Sequence, residues 1–416
     1  MQQMPENGET LPVKNLKSLL QQSLGDDIEI KETTWKHLTD PGENFGSLIL
    51  AIDVTVRQKK KIEVLHLVTK LPPPSNYLMK LFDSPFSFSK EISFYRDLTP
   101  AFLELERELG IINPEETWIS ARYLGSRLGL SDKFDDQACI VLENLNYSGY
   151  KMIDRLSGLN KNETEFAVRK LAQLHAITIA MKKVKPGVFK DLIMPALSSV
   201  VNETAHQCVG DMVNKTLEHL ESIPETRSYV DVVAKSMELA GKYESRQVKD
   251  ENWCTLTHND FWVNNMMFKF DENNNQVVDM KMVDFQLYGY DYGVKDLIFL
   301  LISSPRNDII ENIFDDMIKV YYEAFIDVLV KLNVDFSEFN RDKLINIVEE
   351  CAPCKLAQCL MMTQVIKSQP GKAPKMECID GKDSFLQIGG GKDHYDKLLL
   401  ILNLFRRRNW LLADKN

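Results

Sequence analysis

The sequence has few cysteines and no excess of positive charge. Its seven cysteines among 416 residues are an odd number with scattered spacing, which is typical of reduced thiols and not of a disulfide framework. Cys351 and Cys354 have no second pair and no nearby histidine at ligand spacing, so they do not predict a zinc site. The formal net charge of -10 argues against general binding of nucleic acid or anionic membranes, although a local basic site for phosphates stays open.

Long apolar runs and targeting signals are also missing. No run of about 18 apolar residues occurs, and the first ten residues have neither the basic start nor the apolar core of a signal peptide. We therefore expect a cytoplasmic protein without a membrane segment. Hydrophobic residues make up 44% and charged residues 26%, as in ordinary globular proteins, and 416 residues exceed the usual size of one core. Composition and length predict two or more lobes with a cleft between them.

Residues 255–286 contain the pattern of a β-hairpin. Met266–Phe270 and Gln276–Val283 are strand-like, and Asp271–Asn275 has the composition of a turn. Such a hairpin brings the residues at its two ends, Asn265 and Asp284, near each other. Two carboxylates and an amide would then face one cleft, because Asp260 lies just upstream of the first strand.

This group of side chains suits Mg²⁺-assisted phosphoryl transfer. The reaction needs a base at the attacking hydroxyl and hard oxygen ligands for the metal that carries the phosphates. We interpret Asp260 as the base, Asn265 and Asp284 as metal ligands, and His258 as a residue that fixes the loop by a hydrogen bond. The alternative, two unrelated surface loops that each contain an aspartate, has to explain both the spacing and the apolar strand between them.

Near the start of the chain, two predicted strands flank a loop that contains glycine. The strands are Ile28–Leu38 and Ser47–Val56, and the loop is Asp40–Ser47. This is the layout of a loop that covers phosphates, but Gly-x-Gly-x-x-Gly is absent and most such turns bind nothing. A third strand, Ile62–Lys70, ends at three prolines.

Lys70 and Glu91 form a predicted ion pair. Glu91 shares one helix face with the apolar residues Phe88, Ile92 and Tyr95, and an unpaired buried carboxylate is unfavourable. Lys70, which ends an apolar strand, is the expected partner. The alternatives are a Lys70 side chain that extends to solvent and a Glu91 that reaches water at the edge of the stripe.

The rest of the chain is predicted to be mainly helical. His175 lies among apolar residues and is interpreted as a core histidine, and Asp296 opens an apolar helix as a first-turn acid. Lys367–Gly391 is predicted to be an exposed loop and Arg406–Arg408 a solvated helix end. The other predicted elements are strands Trp118–Leu124 and Ala138–Leu142 and helices Val13–Gly25, Asn162–Met181, Val200–Glu221, Ser228–Tyr243, Ile309–Leu332, Phe339–Val365 and Asp393–Trp410.

The spacing His-x-Asp-x-x-x-x-Asn, followed by Asp-Phe, resembles the kinase superfamily. His-Asn-Asp and Asp-Phe-Gln replace His-Arg-Asp and Asp-Phe-Gly, and the missing Arg and Ala-Pro-Glu segment argue against a protein substrate. The chain most resembles the ecdysteroid kinase-like (CHK kinase-like) family of insects, in the aminoglycoside phosphotransferase and choline kinase branch. The resemblance implies an α+β, two-lobed protein-kinase-like fold. Residues 1–143 would form an N-lobe of antiparallel sheet with a helix, and residues 144–416 a larger, mainly helical C-lobe.

The resemblance also implies an ATP site. In the family, a Gly-Glu-Asn-aromatic-x-Ser loop covers the ATP phosphates, a strand lysine matching Lys70 grips them, and that lysine pairs with a helix glutamate matching Glu91. The aspartate matching Asp296 braces the loop that carries the base. The implied phosphate loop consists of Asn44, Phe45, Gly46 and Ser47, and the implied adenine-binding hinge of Glu143, Asn144 and Leu145.

The implied activity is ATP- and Mg²⁺-dependent phosphorylation of a hydroxyl on a small lipophilic alcohol, such as an ecdysteroid or a related steroid or xenobiotic. Two alternatives stay open: a kinase of the choline or aminoglycoside type acting on another alcohol, and a catalytically silent binding protein of the same fold. A choline site would need an aromatic and acidic cage. Neither nucleic acid nor a membrane is an expected partner, and the sequence predicts neither the residues that contact the acceptor nor the oligomeric state.

Overall fold

The fold is that of a computed structural model, which describes residues 11–38, 44–59, 61–110, 119–131, 133–198, 202–368, 375–382 and 392–415. Residues 40–43 of the predicted loop, Trp118, Val200 and most of the predicted loop at 367–391 lie outside these ranges. No helix within them is both long and apolar enough to cross a bilayer.

The N-lobe is built on five strands and four helices. The strands are β1 (Ile28–His37), β2 (Leu48–Gln58), β3 (Lys61–Leu71), β4 (Tyr123–Arg127) and β5 (Cys139–Glu143), and the helices are α1 (Leu16–Leu24), α2 (Asn76–Leu81), α3 (Ser84–Ser93) and α4 (Thr99–Glu108). The sheet has the order β1-β2-β3-β5-β4, and every neighbouring pair is antiparallel. Alternate residues of β2, among them Leu50, Ile52 and Val54, are fully buried, as expected for a strand with one face on a core.

The C-lobe contains ten helices in the described ranges and two small sheets. The helices are α5 (Lys161–Val184), α6 (Pro186–Val188), α7 (Met194–Ala196), α8 (Glu203–Ser222), α9 (Val230–Arg246), α10 (Val294–Ser303), α11 (Ile310–Lys331), α12 (Arg341–Cys351), α13 (Leu356–Ile366) and α14 (Lys392–Arg407). The remaining strands are β6 (Tyr150–Lys151), β7 (Cys254–Thr257), β8 (Met266–Phe270), β9 (Val277–Met282) and β10 (Gly289–Tyr292). Strands β6, β8 and β9 form one sheet, and β7 pairs with β10.

Local sequence explains the two central helices of this lobe. Asn160 and Glu163 form a capping box that starts α5, each side chain bonding the backbone N–H of the other residue. Every residue of α10 is buried, which fits its nearly continuous apolar sequence. The predicted two-lobed α+β fold is confirmed, whereas the boundary between residues 143 and 144 stays a prediction.

Two predicted elements differ clearly from the structure in their bounds. The strand predicted at Trp118–Leu124 is β4, which begins at Tyr123 and ends at Arg127. Gly125 within it lets α1 approach the strand, because a Cβ there would lie 2.2 Å from the carbonyl oxygen of Leu19. The single helix predicted at 339–365 is two helices, α12 and α13, joined by a 3-10 turn around Pro353. Proline cannot donate the hydrogen bond that a continuous helix needs.

The predicted exposed loop is partly buried, whereas the predicted solvated helix end is exposed at Arg406 and Arg407 but makes contacts with neighbouring helices. Lys367 and Ile379, in the predicted loop, are both buried. In the predicted solvated helix end, the Arg406 guanidinium lies 3.8 Å from the centre of the Tyr229 ring. Arg408 donates two hydrogen bonds to Asp315, at 2.9 and 3.0 Å. These cations therefore attach α14 to its neighbours instead of only offsetting a helix dipole.

Candidate active site

The β8–β9 hairpin brings the two predicted metal ligands together. Met266 lies opposite Met282, and the N–H of Val283 donates to the carbonyl oxygen of Asn265 at 3.1 Å. Asn265 and Asp284 therefore lie at the open end of the hairpin, Asn265 just before β8 and Asp284 just after β9. The second strand is one residue shorter at each end than predicted.

Asp260 is held by two side chains that follow it in the chain. The Asn265 side-chain amide donates to the Asp260 carbonyl oxygen at 2.7 Å and to its carboxylate Oδ2 at 2.9 Å. The indole N–H of Trp262 donates to the same Oδ2 at 3.3 Å. Burial and the nearby Asp284 carboxylate raise the pKa of Asp260 to about 7, and both hydrogen bonds oppose this rise. A carboxylate with a pKa near neutrality is well suited to accept a proton.

Lys70 is the centre of a buried cluster of charges. Its Nζ lies 2.5 Å from Glu91 Oε2 and 2.5 Å from Asp284 Oδ1. The predicted Lys70–Glu91 ion pair is confirmed, and the two alternatives are wrong because Lys70 is 5% and Glu91 2% exposed. Burial alone would lower the pKa of Lys70, but the two carboxylates raise it, so the amine stays charged. The contact with Asp284 joins β3 of the N-lobe to the hairpin of the C-lobe.

Asp296 braces the 258–265 loop from the first turn of α10. Its carboxylate accepts the backbone N–H of His258 at 2.5 Å and that of Asn259 at 2.9 Å. The bracing by backbone N–H bonds that the family resemblance implied is therefore present. His258 Nε2 contacts the carbonyl oxygen of Val283 at 3.1 Å, which ties the loop to the hairpin as predicted. Asn259 adopts a left-handed backbone conformation, with φ of 66°, which its short polar side chain tolerates.

His175 supports this brace from α5. It is fully buried, in agreement with its predicted place in the core. Its Nε2 lies 3.4 Å from Asp296 Oδ2, and its Nδ1 lies 2.8 Å from the hydroxyl of Tyr321. Burial would raise the pKa of Asp296, but the contact with His175 lowers it, so the carboxylate is ionised. Gly293 makes room for the ring, because a Cβ there would lie 2.5 Å from His175 Nδ1.

The described part of the predicted phosphate loop is ordered by its own side chains. Asn44 Oδ1 accepts the backbone N–H of Gly46 at 3.2 Å, and Asn44 Nδ2 donates to the Ser47 hydroxyl at 3.0 Å. Ser47 is fully buried. Gly46 lies on Gln286, since a Cβ at Gly46 would lie 3.0 Å from Gln286 Nε2. The loop therefore covers the Asp284–Gln286 segment, and its role toward phosphates stays a prediction.

Phe45 of this loop lies in an apolar cluster that includes residues of the C-lobe. The other buried members are Leu78 and Leu81 of α2, Cys208 of α8 and Ile379. The family resemblance assigns Phe45 to the nucleotide site and does not indicate this cluster. An aromatic residue in a glycine-containing turn was the available signal, but its partners lie far away in the chain.

The predicted hinge uses part of its backbone internally. The backbone N–H of Glu143 donates to the carbonyl oxygen of Arg122 at 3.0 Å. The backbone N–H of Asn144 donates to the carbonyl oxygen of His66 at 2.9 Å. The Asn144 side chain accepts the N–H of Asn146 at 3.2 Å, which shapes the turn after β5. Leu145 is buried in the main core. Adenine would therefore contact backbone groups other than these two N–H groups.

The donor set of the site suits Mg²⁺. Asn265 donates its N–H groups to Asp260, which leaves its amide oxygen for a cation beside the Asp284 carboxylate. No group of three or more His, Cys, Asp or Glu side chains placed to hold a metal occurs in the described residues. Two protein oxygens fit a magnesium ion that takes its other ligands from substrate phosphates and water.

Similar solved structures include three phosphotransferases or kinase-family proteins. Spectinomycin phosphotransferase in complex with ADP and spectinomycin is 11% identical, with 97% of this chain and 98% of that chain covered and a TM-score of 0.45. A choline/ethanolamine kinase family protein from Mesorhizobium loti is 12% identical, with 91% and 92% covered and a TM-score of 0.41. A GDP complex of an aminoglycoside 2′-phosphotransferase IIIa variant is 13% identical, with 95% and 96% covered and a TM-score of 0.43.

Sequence comparison gives the family directly. No curated protein matches the chain. The profile of the ecdysteroid kinase-like family matches residues 41–334, a range that includes Asn44, Lys70, Asp260 and Asp284. Because this match extends over more than half of the sequence, the chain belongs to the ecdysteroid kinase-like family.

Proposed function

We propose that this protein is an ATP-dependent small-molecule kinase that transfers the γ-phosphoryl group to an alcohol hydroxyl. The observation that carries the proposal is the contact that joins the two lobes at the candidate site: Lys70 of the N-lobe lies 2.5 Å from Asp284 of the C-lobe. Asn265, at the other end of the hairpin from Asp284 in sequence, contacts Asp260 at 2.9 Å. Phosphoryl transfer depends mainly on such positioning and on charge stabilisation.

In this proposal each side chain has one task. Asp260 orients the acceptor hydroxyl and takes its proton, Asn265 and Asp284 hold Mg²⁺, and Lys70 holds the α- and β-phosphates. The bound metal would neutralise charge on the transferred group. His258 is a positioning residue, because burial lowers its pKa and its Nε2 is bonded to the hairpin.

The proposed acceptor is a small lipophilic alcohol, an ecdysteroid or a related steroid or xenobiotic, in the cytosol of an insect cell. Membership of the ecdysteroid kinase-like family supports this substrate class. All seven cysteines are free thiols, as in a reducing compartment. A kinase of another alcohol, of the choline or aminoglycoside type, has the same catalytic group and differs in the acceptor site. A catalytically silent binding protein is disfavoured because the proposed base, metal carboxylate and strand lysine are all present, and the lysine contacts the metal carboxylate.

Two conservative variants test the assignment. Asp260→Asn should lower kcat by roughly 10²- to 10⁴-fold, the usual contribution of a general base, with ATP binding retained. Asp284→Asn should instead abolish the Mg²⁺-dependent part of the thermal shift produced by ATP. ATP consumption with a panel of steroids, cholines and plant alcohols identifies the acceptor. Full activity of Asp260→Asn on that acceptor would show that Asp260 is not the base.

A further inference from the structure

A second buried polar group lies on the inner face of α14. His394 and Lys397 are three residues apart, so they share one face of this helix. Each side chain is 1% exposed. In the described part of the chain, neither His394 Nδ1 nor Lys397 Nζ has a hydrogen-bond partner. Among the described residues of α14, no other buried side-chain nitrogen or oxygen lacks a hydrogen-bond partner.

The neighbours of Lys397 are a second lysine and a thiol. Burial and the charge of Lys367 lower the pKa of Lys397 to about 7, and Cys359 of α13 has a smaller, opposite effect. Lys367 itself is buried and donates to the carbonyl oxygen of Leu156 at 2.8 Å. Among the described residues, no carboxylate forms an ion pair with either lysine. The carboxylates of Asp393 and Asp154 act on Lys367 and oppose the lowering of its pKa by burial. Lys397 is therefore the lysine of this pair that has neither an ion pair nor a hydrogen bond in the described residues.

The neighbours of His394 are also basic. Its ring lies perpendicular to that of His219 on α8, with 5.4 Å between the ring centres. Burial and the charges of His219 and Lys215 lower the pKa of His394 to about 4. Two helices besides α14 thus contribute basic groups near its inner face: α8 contributes His219 beside His394, and the end of α13 contributes Lys367 near Lys397.

An apolar residue would be the more stable choice at position 397 if packing were its only role. A buried donor without a partner is unfavourable, and a buried amine more so. The adjoining helix also contacts the candidate active site. Gln358 of α13 donates to the carbonyl oxygen of Asn259 at 3.0 Å, and the next residue, Cys359, is the one near Lys397. The basic region therefore lies one helix away from the 258–265 loop.

We propose that Lys397 and His394 form a binding site for a small molecule that carries a compact oxyanion, namely a carboxylate, sulfate or phosphate group. The oxyanion would accept hydrogen bonds from Lys397 Nζ and His394 Nδ1–H and would supply the acceptor that these two nitrogens lack. Helices α8, α13 and α14 would enclose it. The site is separate from the ATP site, so it does not depend on the proposed kinase activity.

The test uses the full chain and three probes: sodium acetate, sodium sulfate and sodium phosphate, each compared with sodium chloride at equal ionic strength. We expect at least one probe to raise the melting temperature of the wild type above the chloride value, and isothermal titration to give its affinity. Lys397→Met should weaken that affinity by roughly 10- to 100-fold, the range for a hydrogen bond to a charged group. Lys392→Met is the matched control, because Lys392 is an exposed lysine of the same helix and should leave the affinity unchanged.

Misfolding of the variant would be visible in the same experiment. Lys397→Met replaces a buried amine by an apolar chain of similar length, so its melting temperature without probe should equal or exceed that of the wild type. The probe that binds tells a carboxylate site from a sulfate or phosphate site. The proposal is wrong if no probe stabilises the wild type more than chloride does, or if the wild type and Lys397→Met respond equally.

Discussion

The hydrogen bond from Trp262 to Asp260 gives a prediction about pH dependence. Trp262 is 7% exposed, and its indole N–H donates to Asp260 Oδ2 at 3.3 Å. This bond favours the ionised carboxylate and so lowers the pKa of Asp260, which burial and Asp284 raise to about 7. Trp262→Phe keeps an aromatic ring at this position and removes the donor, and the loss of ring volume is matched in the control variant described below. The pKa of Asp260 should therefore rise.

The size of the shift follows from the geometry. A hydrogen bond to a charged group contributes about 1.5–3 kcal/mol, and a length of 3.3 Å suggests a value near the bottom of that range or below it, about 1 kcal/mol. Since one pKa unit corresponds to 1.36 kcal/mol, the pKa should rise by roughly 0.7. The base must be ionised to accept a proton, so the rate falls at pH values below its pKa. At pH 6 the variant should be roughly fivefold slower than the wild type, and at pH 9 nearly equal to it.

The assay is kcat/KM for the acceptor, measured from pH 5.5 to 9.5 with saturating Mg²⁺-ATP, because this quantity reports the pKa of the base before the acceptor binds. Trp253→Phe is the matched control: Trp253 is also buried, but it stacks on Phe325 and its indole N–H has no hydrogen-bond partner among the described residues. The acid limb of the Trp253→Phe profile, the pH range in which kcat/KM falls as the base is protonated, should coincide with that of the wild type. A Trp262→Phe profile that keeps the wild-type acid limb, or that falls by one factor at every pH, would show that Trp262 acts only through packing.

Two further predictions concern stability, measured by urea unfolding. Lys70→Met should lower the free energy of unfolding by about 3–5 kcal/mol, because it leaves the Glu91 carboxylate buried without its cation. The double variant Lys70→Met, Glu91→Leu should recover most of that loss. Equal stability of the single and double variants would contradict this prediction. Asp296→Asn should lower the free energy of unfolding by about 1–3 kcal/mol because two backbone N–H groups lose a charged acceptor, whereas Asp342→Asn, at an exposed first-turn position of α12, should change it little. Because the pKa of Asp296 is lowered in the folded state, its contribution is present above the unfolded-state pKa, and the difference from Asp296→Asn should shrink as the pH falls through the folded-state value. A stability difference between the wild type and Asp296→Asn that grows toward low pH would contradict this prediction.

The parts of the site that the sequence predicted rest on short-range patterns. Glu91 could be assigned a partner because helical periodicity placed it in an apolar stripe, where an unpaired carboxylate is unfavourable. Asn265 and Asp284 could be brought together because strand alternation and turn composition define a hairpin. In each case a few neighbouring residues carry the information, because the other arrangement of the same residues is energetically unfavourable.

The parts that could not be predicted depend on how distant segments pack. Lys70 and Asp284 are 214 positions apart, and no local pattern indicates that the strand lysine also reaches the hairpin carboxylate. The indole of Trp262 is close to Asp260 in sequence, but the direction of its N–H depends on the backbone path of the loop. Arg408 could be predicted at a helix end, yet its pairing with Asp315 depends on the packing of α14 beside α11.

The position of the Asn44–Ser47 loop shows what this distinction means for function. From sequence it is a turn between two strands, free to close over a nucleotide. In the structure Phe45 shares an apolar cluster with residues of α2, α8 and Ile379. Ser75 at the start of α2 donates to the carbonyl oxygen of Ile379, and Asn202 at the start of α8 donates to that of Leu81 at 3.1 Å. Residues of the C-lobe therefore hold α2 and contribute to the cluster in which Phe45 lies. Because the loop is already ordered, a nucleotide that binds beneath it would pay a smaller entropic cost for ordering the loop. A change in the C-lobe segment around Ile379 would therefore also change the affinity for nucleotide.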